Sequence, residues 1–245
     1  MTSPRVDSKN SRASRSSRRR RGIFISFEGP DGAGKTTHAR LLAELLGKRG
    51  HKVVLTREPG GTPFGEQVRE ILLDPATGRI SHLTELLLYE SIRAHHVESL
   101  IVPALKSGKI VICDRFTDAS LAYQGYGRGL PAETVRRLNE IASSGLKPDI
   151  TILLDIDSRD GLDACVRDNA RSSRRKKSST GRLDRIESAG AAFHRRVRRG
   201  YLRMAAAEPR RFMLVKRAPT LDDTFARMIR LLGKKCPGLR LVAAP

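Results

Sequence analysis

The chain has 245 residues, enough for one large domain or two small ones, and 39% of them are hydrophobic, which supplies a substantial core. No run approaches the ~18 apolar residues of a membrane span, and no apolar signal-peptide core follows the start, so the sequence reads as a soluble protein with no membrane contact. A net charge of +21 suits a nucleic-acid binder, yet it is concentrated: residues 1–21 hold eight Lys or Arg against one Asp, and residues 167–182 hold seven against one.

The first segment, "NSRASRSSRRRRG" at 10–22, has almost nothing apolar with which to offset the entropy of ordering. Residues 1–21 therefore read as a disordered basic tail, with contact to a nucleic acid as the use such a tail could have. A transit peptide fits less well, because no apolar face can be drawn through it.

From Gly22 short apolar runs alternate with helical periodicity. The runs are Ile23–Phe27, Lys52–Thr56, Lys109–Cys113, Asp149–Ile156 and Arg211–Val215, each rich in Ile, Val, Leu or Phe, as strands buried on both faces of a parallel sheet are. The spacing predicts a helix over Thr36–Leu46, with Ala39, Leu42, Ala43 and Leu46 inward and Gly47 or Gly50 stopping it. It predicts a long helix over Thr84–Leu105, with Leu87, Leu88, Ile92 and Leu100 as candidate core. Strands alternating with helices indicate a doubly wound α/β domain. With no repeat and no linker after residue 22, one domain is expected over 22–235, followed by a C-terminal tail at 236–245. Cys113, Cys165 and Cys236 are odd in number and widely spaced, which fits reduced thiols and a cytoplasmic protein.

The first strand leads into Gly29-Pro30-Asp31-Gly32-Ala33-Gly34-Lys35-Thr36, a full match to G-x-x-x-x-G-K-[ST]. Gly32 and Gly34 allow successive N–H groups to turn toward one anion. Lys35 adds charge for the β and γ phosphates, Thr36 offers a hydroxyl to Mg2+, and the following helix points its positive end at the phosphates. A P-loop NTPase that binds a nucleoside triphosphate follows. The third run, "KIVICDR", ends in Asp114 and Arg115 at the carboxyl edge, where an Asp can hold Mg2+ or its water and an Arg can face the transferred phosphoryl group. His95 and His96 point ~100° apart on a helix and read as surface or interface residues. Cys113 reads as a buried strand residue.

No N-K-x-D guanine reader is present, and no ABC or helicase signature. Instead, arginines follow several strands, an arrangement suited to phosphoryl transfer between two anions. The stretches "FEGPDGAGKTT", "TREPGGTPFGEQVREILL", "CDRFTDASLAYQGYGRG" and "GRLDRIE" resemble, in order, the bacterial thymidylate kinases over roughly residues 22–230. The resemblance implies ATP- and Mg2+-dependent phosphorylation of dTMP to dTDP, feeding dTTP synthesis, by a homodimer with a five-stranded parallel sheet. It also implies residue roles. The whole loop Gly29–Thr36 holds ATP, and Asp31 meets the deoxyribose 3′-hydroxyl. Arg57 and Arg115 surround the phosphate of dTMP. Tyr89 stacks on thymine while Arg93, four residues on and on the same helix face, reaches a base carbonyl. Ser120, Tyr123 and Gln124 read the base edge and sugar, and Thr36 and Asp114 lie near Mg2+.

The segment at about 165–187 matches the lid that closes over ATP in this family. Gly32 stands where one type of thymidylate kinase carries a P-loop Arg, so the resemblance assigns that charge to the lid. Arg185 aligns with the lid pattern. Arg171, Arg174, Arg175 and Arg182 are the candidates for reaching the phosphates, with Arg182 assigned beside Arg185, Lys35 and Arg115 as catalytic. A different class of P-loop protein, whose basic tail binds nucleic acid, is the alternative reading.

Overall fold

The computed structural model describes residues 21–157, 160–167, 184–239 and 241. The expectations for residues 1–20 and for Arg171, Arg174, Arg175 and Arg182 lie outside the described residues. Five parallel strands form one sheet: β1 (Phe24–Glu28), β2 (Val53–Arg57), β3 (Ile110–Asp114), β4 (Ile150–Asp155) and β5 (Phe212–Lys216), in spatial order 2-3-1-4-5. The order reverses at β1, which pairs with β3 on one side and β4 on the other, so ligands are expected at the carboxyl ends beside it.

Strand composition explains which strands are central. β1, β3 and nearly all of β4 are buried on both faces. β2 and β5 are edges and expose alternate residues, including Leu55 and Leu214, so burial on both faces does not extend to them. Along β1 the side chains sort by parity. Ile25 and Phe27 join the layer under α1 (Lys35–Lys48) and α9 (Leu221–Lys235), while Phe24 packs with the opposite layer. Ala39, Leu42 and Leu46 form the buried stripe of α1 as the spacing predicts.

The long helix is α3 (His82–His96), a wider π turn (Val97–Ile101) and α4 (Val102–Lys106). The wide turn lies just ahead of Pro103, which has no amide hydrogen to continue the ladder. Ser81 caps α3 by accepting from Thr84 N, and Thr62 does the same for α2 (Pro63–Leu73) from Gly65 N. The inward face of α3 differs from the apolar expectation. Ile92 is fully buried as expected and Leu88 and Leu100 are half-buried, but Leu87 is 48% exposed, and Leu86 and Ile101 are fully buried in addition. The buried face also carries Glu85, Glu90, Arg93 and His96, so apolar periodicity alone gives it only in part. His96 is therefore interior, not surface; His95 is exposed.

The remaining elements are α5 (Thr117–Ser120) with its continuing π turn (Leu121–Gly127), α6 (Ala132–Ala142), α7 (residues 160–167) and α8 (Ala191–Ala207). Past the boundary placed at 235, Leu239 and Leu241 are buried in the layer under α1 and α9, so core packing continues into the segment read as a tail. Among the described residues no helix is long and apolar enough to cross a membrane.

Candidate active site

The loop between β1 and α1 is built from close backbone contact. Gly32 has φ +72°, and a Cβ there would lie 2.0 Å from the carbonyl oxygen of Gly161 on α7, so no side chain fits. Gly34, also left-handed, is the N-cap of α1 and supplies no side-chain cap, which leaves the first amides of the helix open to an anion. Lys35 is buried, with Nζ donating to Pro30 O at 2.7 Å. Burial, then the charge of Arg115, pulls its ammonium down to about 8, against the pull of Asp31 and Asp114. Thr36 Oγ1 donates to Asp114 Oδ2, while Asp114 Oδ1 is buried and has no partner among the described residues. A hydroxyl and a carboxylate with an orphaned oxygen form a donor set suited to a hard divalent cation such as Mg2+.

Next to this pair, Arg115 adopts φ +70°, an uncommon left-handed conformation for a side-chain-bearing residue. Its Nη1 reaches Gly29 O (3.2 Å) and Tyr201 Oη (3.3 Å), and its Nη2 pairs with Asp31 and reaches Tyr123 Oη at 3.0 Å. Tyr123 donates on to Asp31 Oδ2 at 2.8 Å. Burial opposes ionisation of Asp31, but Arg115 and Lys35 outweigh it and hold the carboxyl below the usual range. Tyr201 donates to Glu28 Oε2 at 2.8 Å, and Glu28 is pushed up to about 8, chiefly by burial and then by Asp118. His194 of α8 sits 3.7 Å from Asp31 Oδ2, and its Nε2 donates to Glu187 O at 3.0 Å.

These groups open onto a cavity of about 330 Å³. One end is lined by Gly32, Gly34, Lys35, Thr36 and Asp114, the middle by Asp31, Arg115 and Tyr123, and the far end by Tyr89, Arg93, Ser120 and Gln124. Arg57 lines the rim, half-exposed and paired with Glu66 at 2.7 Å. Thirteen of the expected positions thus share one cavity, while Gly29, Pro30 and Ala33 are not part of its lining. Arg185 is not either: its Nη1 donates to Glu85 Oε2 at 2.6 Å and its Nε to Leu72 O at 2.8 Å. Arg93 is 1% exposed, and all five of its N–H groups are engaged, by Glu58, Glu90, Asn139, Phe116 O and Ser120. Its expected reach to a base carbonyl therefore requires one of these contacts to be shared or exchanged.

Sequence reasoning missed several residues of this site. Arg69 lines the cavity and donates to Pro59 O at 2.7 Å; it lies inside "TREPGGTPFGEQVREILL", so that motif could have found it. Glu58 holds Arg93 and His96, and His96 meets Thr56 Oγ1 at 2.7 Å. Asp184, Glu187 and Cys165 also line the cavity. Glu58, His96 and Cys113 cluster within 4.8 Å, but their polar atoms are already spent on Arg93, Thr56 and Arg115 O.

The family model described as "Thymidylate kinase" matches residues 27–227. The thymidylate kinase of Geotalea uraniireducens is 47% identical over 205 residues, covering 84% of this chain and 93% of the relative. That of Pelobacter propionicus is 50% identical over 195 residues, covering 79% and 86%. The crystal structure of thymidylate kinase from Ehrlichia chaffeensis is similar with a TM-score of 0.67 at 34% identity, covering 86% of this chain and 98% of that one.

Proposed function

The chain belongs to the thymidylate kinase family, and from that premise we propose that it transfers the γ-phosphoryl group of ATP to dTMP with the residues that line its cavity. The observation that carries this reading is one continuous cavity with a P-loop at one end and Tyr89, Ser120 and Gln124 at the other. ATP phosphates would lie on the open amides of α1 and on Lys35. Mg2+ would be held by Thr36 and Asp114, and when bound it neutralises charge on the phosphate oxygens. Arg115, fixed by Asp31, Tyr123 and Tyr201, stands between the two ends, where charge on the moving phosphoryl group needs a partner.

At the far end Tyr89 offers its ring to a base, Ser120 and Gln124 its polar edge, and Asp31 a sugar hydroxyl. Arg57 and Arg69 supply cations at the monophosphate side. Catalysis is then positioning and charge neutralisation, with no covalent enzyme intermediate. Exposed Phe64 and Ile71 on α2 and Leu83 and Leu87 on α3 offer an apolar surface, which supports a homodimer. Reduced cysteines support a cytoplasmic protein.

The test is ADP release with dTMP, dCMP, dAMP and dGMP in turn. dTMP is expected to exceed the others by orders of magnitude, with dUMP a weaker substrate, because one methyl supports only modest discrimination. Equal rates across these monophosphates would sink the reading.

A further inference from the structure

A glutamine amide has two faces, an NH2 that donates and an oxygen that accepts. Which face Gln124 turns to the cavity decides which base edge it can read. Gln124 is 2% exposed on the π turn after α5, with Nε2 at 2.9 Å from Glu85 Oε1. Glu85 is 1% exposed on α3. The same carboxylate also takes Arg128 through Nε and Nη2, both at 3.2 Å, and Arg185 through Nη1. Burial alone would push Glu85 up, but hydrogen bonds from Arg128 and Gln124 outweigh it and hold the carboxyl below its ordinary range. An ionised carboxylate can only accept, so the nitrogen end of the amide must face Glu85. The oxygen is then the free end, and among the described residues no side chain or backbone group donates to it.

We propose that Glu85 is a specificity-determining positioning residue, which pins the Gln124 amide so that an acceptor faces the base of the monophosphate substrate. The inference rests on the reading that the cavity holds a pyrimidine nucleoside monophosphate. Thymine and uracil carry a proton at N3 and can donate to Gln124 Oε1. Cytosine has a bare N3, and two acceptors would oppose each other across a dry contact. Tyr89, one helical turn beyond Glu85, lines the same cavity as Gln124.

The experiment measures kcat/KM for dTMP, dUMP and dCMP with the full chain and with Glu85→Gln. The replacement has the same shape but can offer either end of its amide, so it no longer dictates how Gln124 lies. The dTMP-to-dCMP ratio should fall roughly tenfold, the worth of one neutral hydrogen bond, mostly through KM. The dTMP-to-dUMP ratio should stay unchanged, because both bases carry the N3 proton. A fall common to all three substrates, with both ratios preserved, would show a merely structural role and overturn the proposal. If Glu85→Gln does not fold, Glu85→Gln/Arg128→Met removes one of the two cations left without a carboxylate, Arg185 keeping its bond to Leu72 O, and the same two ratios decide. An unmutated chain with no preference for dTMP over dCMP overturns the functional reading itself, and is told apart by needing no variant.

Discussion

The two ends of the cavity are wired in opposite ways. At the phosphate end the polar groups are underused: among the described residues Lys35 makes one hydrogen bond, to a backbone carbonyl, and Asp114 Oδ1 makes none. At the base end Arg93 spends every donor it has on protein groups, and the buried atoms left over there, Glu90 Oε2 and Arg185 Nη2, belong to other side chains. A buried polar group without a partner raises the free energy of the empty site, and a charged ligand that satisfies it lowers the free energy of the complex by the same account. A saturated group has nothing left to give without a loss elsewhere. On the proposed reading Lys35 and Asp114 are therefore where ligand charge arrives, and Arg93 belongs to the frame that shapes the slot.

The contrast can be broken most sharply at the saturated end. Arg93→Met keeps an apolar stem but leaves Glu58 and Glu90 buried without their cation. It should cost roughly 3–5 kcal/mol of stability, read from denaturant unfolding. An unchanged unfolding midpoint would mean that Arg93 is not part of the frame. Lys35→Ala should do the reverse. Turnover should drop by roughly 10²–10³-fold, as when a charge-stabilising donor is lost, while stability holds or rises because a buried, poorly partnered ammonium is gone. Loss of folding without a specific loss of turnover would erase the distinction between the ends. Tyr201→Phe lies between them. It strips a donor from Glu28 and an acceptor from Arg115, and should cost about 1 kcal/mol with a few-fold fall in kcat. A full loss of activity would instead make the hydroxyl part of the chemistry.

The two ends were also unequally legible in the sequence. The P-loop is contiguous, so its glycines, Lys35 and Thr36 could be read from spacing, and the five apolar runs fall within a residue or so of the observed strands. The frame of the base end is assembled across the chain: Arg93 meets Asn139 46 residues away and Arg185 meets Glu85 100 residues away. No local pattern carries such pairings. Apolar periodicity found Ile92 in α3 but misplaced Leu87, since a helix that buries Glu85, Glu90, Arg93 and His96 hides polar residues where leucines are expected. Gly32 shows both limits at once. Its missing side chain was visible in the sequence, but the reason, the carbonyl of Gly161 lying against it, belongs to the fold. Arg185, which matches the lid pattern, gives Nη1 to Glu85 and keeps a buried Nη2 without a partner among the described residues, a pairing that the motif alone does not show.

The smallest expected effect is the most direct probe of the unsatisfied end. Lys35 has been drawn down to about 8 from an ordinary 10.5, largely by burial. Below about pH 8 the folded and unfolded chains both hold this proton. Between about 8 and 10.5 only the unfolded chain does, so this group makes the empty protein more stable as pH rises through that window. A triphosphate acts in the other direction. Its negative charge favours the ammonium, so binding at pH 8 should draw up to about half a proton from solution. ATP affinity should accordingly weaken above pH 8, by no more than about tenfold per unit for a single proton. Titration calorimetry of ATP in two buffers of different ionisation heat measures that uptake, and Lys35→Met should reduce it to whatever Glu28, also near 8, takes up. An uptake of zero in the unmutated chain would mean that Lys35 is already charged and partnered before ATP arrives, and the two ends of the cavity would then be alike.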